Sequence, residues 1–193
     1  RQLFVVTARN TALKAQHGGA ETAGLTLNVV DIWETALRNL QCAQAQADQI
    51  GERACAALLM HGTQCLLTIS ANGELFYTRR LDGDERLLAR ATGVAEAKPV
   101  VEAKPVVEAP LGFEYTPGNE FVPEGEESAL IIELQRSIDV WERSWPDLPL
   151  ARLYLLAPEH GAAVAALMQR ELGLRTVALE PSVLFSGLDA DRG

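Results

Sequence analysis

Apolar residues recur along this chain in two rhythms, short unbroken runs and longer stretches spaced three to four residues apart, so strands interleaved with helices are expected. Leu3–Thr7 reads as a strand, Asn10–Ala23 as a helix stopped by Gly24, and Leu25–Val30 as a second strand, together a β–α–β unit. Gly18 and Gly19 each weaken that helix by about 1 kcal/mol relative to alanine. Asp31 followed by Glu34 has the form of a capping box with Asp in place of Ser or Thr. The helix it opens is expected to bury Trp33, Ala36, Leu37, Leu40, Ala43 and Ala47, leaving Gln41, Gln44, Gln46 and Gln49 on a solvated face.

Leu58-Leu59-Met60 is an apolar run, His61-Gly62-Thr63 a tight turn, and Leu66–Ile69 a second run. Asn72-Gly73 is a strong two-residue hairpin signal, because a type I′ turn needs positive φ at both central positions. Leu75–Thr78 is the returning strand, and Gly83–Ala91 is helical in character. Further on, Leu130, Ile131, Leu134, Ile138, Trp141 and Trp145 make one apolar stripe on a helix over Glu126–Trp145, ended by Pro146. Arg152–Ala157 reads as a buried strand and Glu159–Leu172 as an amphipathic helix over Val164, Leu167, Met168 and Leu172, capped by Gly173. Arg175–Leu179 is a last strand, and Ser186–Gly193 a frayed tail. This alternation predicts an α/β sheet.

One segment breaks the pattern. Val94–Pro99, Val100–Pro105 and Val106–Pro110 repeat Val-Ala/Val-Glu-Ala with proline on a near-hexapeptide schedule. Proline at that interval forbids both helix and central strand, so a semi-extended, disordered Pro-rich linker is expected there, continuing without periodicity through Leu111–Gly125.

The composition, 48% hydrophobic and 22% charged over 193 residues, is that of a globular chain, able to bury about 70% of its unfolded surface. A net charge of −9 argues against nucleic acid or an anionic membrane as partner. Cys42, Cys55 and Cys65 are odd in number and lack CxxC spacing, which fits a reducing compartment. His61 and Cys65 stand across a turn rather than on one helical face, and no metal site is expected. There is no signal peptide and no apolar run of about 18 residues, so a soluble segment is expected. The opening Arg1 without Met suggests a piece of a longer chain.

Three segments in order carry a resemblance: AGLTLNVVDIWETALRNL from Ala23 to Leu40, LLTISANGELFYTRRLDG from Leu66 to Gly83, and ELQRSIDVWERSW from Glu133 to Trp145. They resemble the PilM/MshI-like cytoplasmic proteins of type IV (MSHA-type) pilus biogenesis, members of the actin/FtsA-like superfamily. The resemblance implies a fragment of the actin-like ATPase (RNase H-like) fold, a mixed β-sheet flanked by helices. It implies that residues 1–30 end a small inserted subdomain, 31–51 form a helix of the first lobe, and 52–92 and 126–185 form the second lobe. The linker takes up 93–125 and the tail 186–193.

In that family a strand ending Asp-x-Gly puts an acid near the metal and phosphates, and here the motif maps to Met60-His61-Gly62, followed by Thr63. A thioether does not hold Mg²⁺, a hard cation that takes oxygen ligands. The family's adenosine-supporting glycine pair maps to Leu156–Gly161, where Pro158 removes a donor and Gly161 alone remains. Both loops therefore read as degenerate remnants, with no catalytic residue, no metal and no ATP expected. The implied role is a non-catalytic assembly protein at the cytoplasmic face of the inner membrane of a Gram-negative bacterium. Its implied partner is the cytoplasmic tail of a PilN/MshJ-like inner-membrane protein. An actin-like ATPase is the alternative; Asp82 and Asp84 are the nearest acids in sequence and are expected on a surface turn. A GspL-like cytoplasmic domain of type II secretion is a third reading.

Overall fold

The computed structural model describes residues 4–93, 128–157 and 159–185. The proline repeat, Pro158 and the tail 186–193 lie outside the described residues, as does the expected linker apart from Gly93, which instead caps a helix at φ 69°. In chain order the elements are α1 (Asn10–Thr22), α2 (Trp33–Ala47), β1 (Ala54–His61), β2 (Gln64–Ala71), β3 (Glu74–Asp82) and α3 (Glu85–Thr92). Then follow α4 (Ala129–Ser144), β4 (Leu150–Leu156), α5 (Gly161–Leu172), β5 (Thr176–Ala178) and the short α6 (Pro181–Leu184).

Two turns build the first three strands. Gly62 takes φ 58° at the first position of the β1–β2 turn, a conformation that glycine enters without strain. Asn72 and Gly73, at φ 51° and 77°, make the expected type I′ turn between β2 and β3. The sheet runs β3-β2-β1-β4-β5, antiparallel across β1–β2 and β2–β3 and parallel across β1–β4 and β4–β5. It is an α/β sheet, as the alternation of elements predicts, and mixed and helix-flanked, as the resemblance implies.

Side chains alternate between the two faces of each strand. Ala54, Ala56, Leu58 and Met60 of β1 join Leu67, Ile69, Leu153 and Leu155 in the larger core, closed by Leu87 of α3, Leu134 and Trp141 of α4, and Val164 and Met168 of α5. Cys55 and Ala57 point the other way, with Leu66 and Tyr154, toward Leu37 and Ala45 of α2. Each fully buried leucine in these layers contributes roughly 1.5–3 kcal/mol by removal from water.

The amino-terminal region departs from expectation. Residues 4–9 and 25–32 carry no regular structure, α1 has no buried residue, and Val5 and Val29 are 76% and 73% exposed. A strand is stable only within a hydrogen-bonded ladder, and neither apolar run has a neighbouring strand among the described residues, so no β–α–β unit is present among them.

The face of α2 is also corrected. Its buried stripe is Leu37, Gln41 and Ala45, while Trp33 is exposed and Ala47 lies at the surface. Gln41, expected in solvent, is buried because its Nε2 donates to the Cys55 carbonyl at 2.5 Å, beside the point where the β1–β4 register slips. Trp33 stands at the first residue of α2, where its ring meets His61, the last residue of β1, edge-on and stays largely open. The N-cap is Ile32, so the capping box is not formed as expected; Asp31 Oδ1 accepts from Ile32 N at 2.9 Å and from the Thr35 hydroxyl. The far end of α2 is tied to β4 through Asp48, which accepts from Arg152 and from the Tyr154 hydroxyl at 2.8 Å.

Candidate functional site

The turn between β1 and β2 sits at the carboxyl end of β1, and the strand register arranges what surrounds it. His61 of β1 faces Gln64 of β2, which faces Asp82 of β3, a row of three polar side chains across the end of the sheet. One row inward, Met60, Cys65 and Leu81 are all buried; the next row is Leu59, Leu66 and Arg80. Gly83 N donates to the Thr63 carbonyl at 2.8 Å and locks the turn against the end of β3. A Cβ at position 83 would lie 3.0 Å from the Gly62 oxygen and 3.1 Å from the Thr63 carbonyl carbon, so a side chain there would press on the turn backbone, which would have to give by a few tenths of an ångström.

These elements enclose a cleft of about 700 Å³ lined by Trp33, His61, Thr63, Gln64, Arg80 and Asp82, with Arg79 and Glu133 also on its wall. The Trp33 and His61 rings meet edge-on, 6.1 Å between centroids and 82° between planes. Both arginines are engaged: Arg80 with Glu34 at 3.0 Å, Arg79 with Glu133 and with Ser137 Oγ at 3.1 Å. The Asp82 carboxylate has no hydrogen bond or ion pair among the described residues. Its charge adds to the effect of burial, the larger cause, in pushing the Cys65 thiol up to about 11.

The sequence-predicted loop residues separate here. Met60, expected from the resemblance to stand where an acid would, is 6% exposed and packed in the larger core, directed away from the face that His61 occupies. His61, Gly62 and Thr63 line the cleft, and the Thr63 hydroxyl is unpartnered. Leu59 pairs with Leu156, so the ends of β1 and β4 reach the same edge of the sheet. Gly161 nevertheless does not line the cleft; it begins α5 against Ala178, after His160 in the left-handed region at φ 54°.

Asp82 and Asp84 are corrected as well. Asp82 ends β3 and lines the cleft, while Asp84 caps α3 by accepting from Arg86 N at 2.9 Å and takes the Ser128 hydroxyl at 2.5 Å. Sequence reasoning missed Trp33, Gln64 and Asp82 as cleft residues; the usable signal was the hairpin register, which aligns Asp82 with Gln64 and His61. Among the described residues no group of three or more His, Cys, Asp or Glu side chains is placed to hold a metal. A nucleotide would meet paired arginines and one free carboxylate here, a donor set that does not fit a triphosphate.

The sheet order and the helices on both faces define an actin-like (RNase H-like) fold fragment. Among solved structures the chain is similar to one from a PilM-PilN type IV pilus biogenesis complex, with a TM-score of 0.54 and 18% sequence identity over 92% of this chain and 50% of that one. The chain thus spans about half the length of the solved chain it matches. No family model matches it, and no curated protein does.

Proposed function

We propose that this chain is a non-catalytic assembly component of a type IV pilus machine of the MSHA type, acting at the cytoplasmic face of the inner membrane. Its partner on this reading is the cytoplasmic tail of a PilN/MshJ-like membrane protein. The observation that carries the proposal is the fold likeness to a PilM-PilN complex. It is supported by the burial of Met60 where the resemblance implies an acid, which leaves the turn with a lone hydroxyl at Thr63. No helix among the described residues is long and apolar enough to cross a membrane.

The test is co-purification of the full-length protein with the soluble tail of the membrane partner, beside a magnesium-dependent ATP turnover assay. Capture of the tail with turnover at background is the expected result. One observation favours the actin-like ATPase instead: Asp82 lies in the same cleft as Thr63. Turnover abolished by Asp82→Asn, without capture of the tail, would replace the proposal with that reading. Capture instead by a type II secretion ATPase would point to the GspL-like role.

A further inference from the structure

The cleft holds an asymmetry that its expected ancestry does not explain. Arg80 is paired with Glu34, and Arg79 shares Glu133 with Arg136, while the Asp82 carboxylate has no ion-pair or hydrogen-bond partner among the described residues. Beside that free carboxylate lie the Gln64 amide and the His61 ring in one register row, and the Trp33 ring, 59% exposed, stands over the His61 end. An exposed carboxylate and an open indole in one cleft favour a cation, which gains both charge pairing and attraction to an aromatic face. They disfavour a phosphate, which needs unpaired donors. The net charge of −9 draws in the same class of ligand.

The backbone adds a second feature. Among the described residues β3 is the edge of the sheet and pairs only with β2, and its Arg79–Asp82 end forms a wall of the cleft. A segment added alongside β3 would use the strand's unpaired outer backbone groups and could turn a side chain into the cleft. We propose that the cleft is a docking site for a cationic side chain, arginine or lysine, carried by an extended peptide of a partner protein. Asp82 receives the charge, Trp33 lies against the alkyl stem and cation, and Gln64 offers an amide oxygen between them. The proposal does not depend on which machine the protein serves, so it can fail while capture of the membrane tail succeeds, and the reverse.

The experiment is titration of the full-length protein with a pentapeptide of alternating Val and Thr carrying one central arginine, against the same peptide with neutral citrulline. Heat of binding is the readout. The arginine peptide should bind about tenfold more tightly than the citrulline peptide, and added salt should erode the difference. Asp82→Asn should abolish the preference, and Trp33→Ala should weaken the arginine peptide about tenfold. Both side chains are exposed, so far-ultraviolet circular dichroism of the variants should match wild type. Equal affinity for the two peptides, absence of binding by either, or an unchanged preference in Asp82→Asn would overturn the proposal. Displacement of the peptide by Mg·ATP in an Asp82-dependent manner would do so too, by making the cleft a nucleotide site.

Discussion

Trp141→Ala should be among the most damaging single changes in the described part of the chain. Trp141 is 0% exposed, lies on the inner face of α4, and donates from Nε1 to the Leu148 carbonyl at 2.8 Å. Its ring stacks on Trp145 at 4.5 Å and 27°, and meets Phe76 edge-on at 5.9 Å and 87°. Truncating a buried aromatic costs about 3–5 kcal/mol through lost transfer energy and the cavity left behind. Each well-oriented aromatic pair adds about 0.5–1.5 kcal/mol beyond area burial. The Leu148 carbonyl would lose its donor, so the upper half of the first range is expected. Against a total of about 5–15 kcal/mol for a folded domain, that is a large share. Urea unfolding should show the midpoint fall at constant m, and Trp141→Phe, which keeps a ring but not the N–H, should recover more than half the loss. Glu142→Ala, one position round the helix and exposed, should stay within about 0.5 kcal/mol. A loss below about 1 kcal/mol for Trp141→Ala at unchanged m would refute the packing argument.

Two further perturbations bear on the cleft and the thiols. Met60→Asp would supply the acid of the Asp-x-Gly motif that the resemblance implies but put it into the larger core, so it should destabilise the fold by about 3 kcal/mol or more and bring no ATP turnover; thermal melting and a turnover assay check both, and a stable variant that turns over ATP would show the side chain reaching the cleft. Burial holds Cys55 and Cys65 up at about 11 against an ordinary 9.0, and raises Tyr154 from 10.0 with help from its bond to Asp48. The folded state therefore keeps these protons longer than the unfolded chain: the stability they contribute is full below pH 9 and is lost as pH rises toward 11. Urea midpoints across that range should fall, and a thiol reagent at pH 8 should modify half-buried Cys42 before the other two; equal labelling rates would contradict their burial.

The amino-acid sequence alone determined the strand-and-helix alternation, because each element carries its own local signal. Asn72-Gly73 can form its turn whatever surrounds it, and the Leu130–Trp141 stripe marks one face of a helix wherever that helix lies. The glycine at 62 likewise marked the end of β1. Tertiary structure alone decided which residues share a site. Trp33 and Gln41 exchanged their expected places because burial depends on what lies opposite, and only the assembled sheet sets His61 edge-on to Trp33 and presents the Cys55 carbonyl to Gln41. The runs 4–9 and 25–32 have strand-like residues and no strand, since a ladder requires a neighbour that local sequence cannot supply. Asp82 entered the cleft through pairing between β1, β2 and β3, a register summed over two turns. Met60, one step along β1 from His61, turns to the opposite face and packs into the larger core, a place that only the assembled helices beneath the sheet supply.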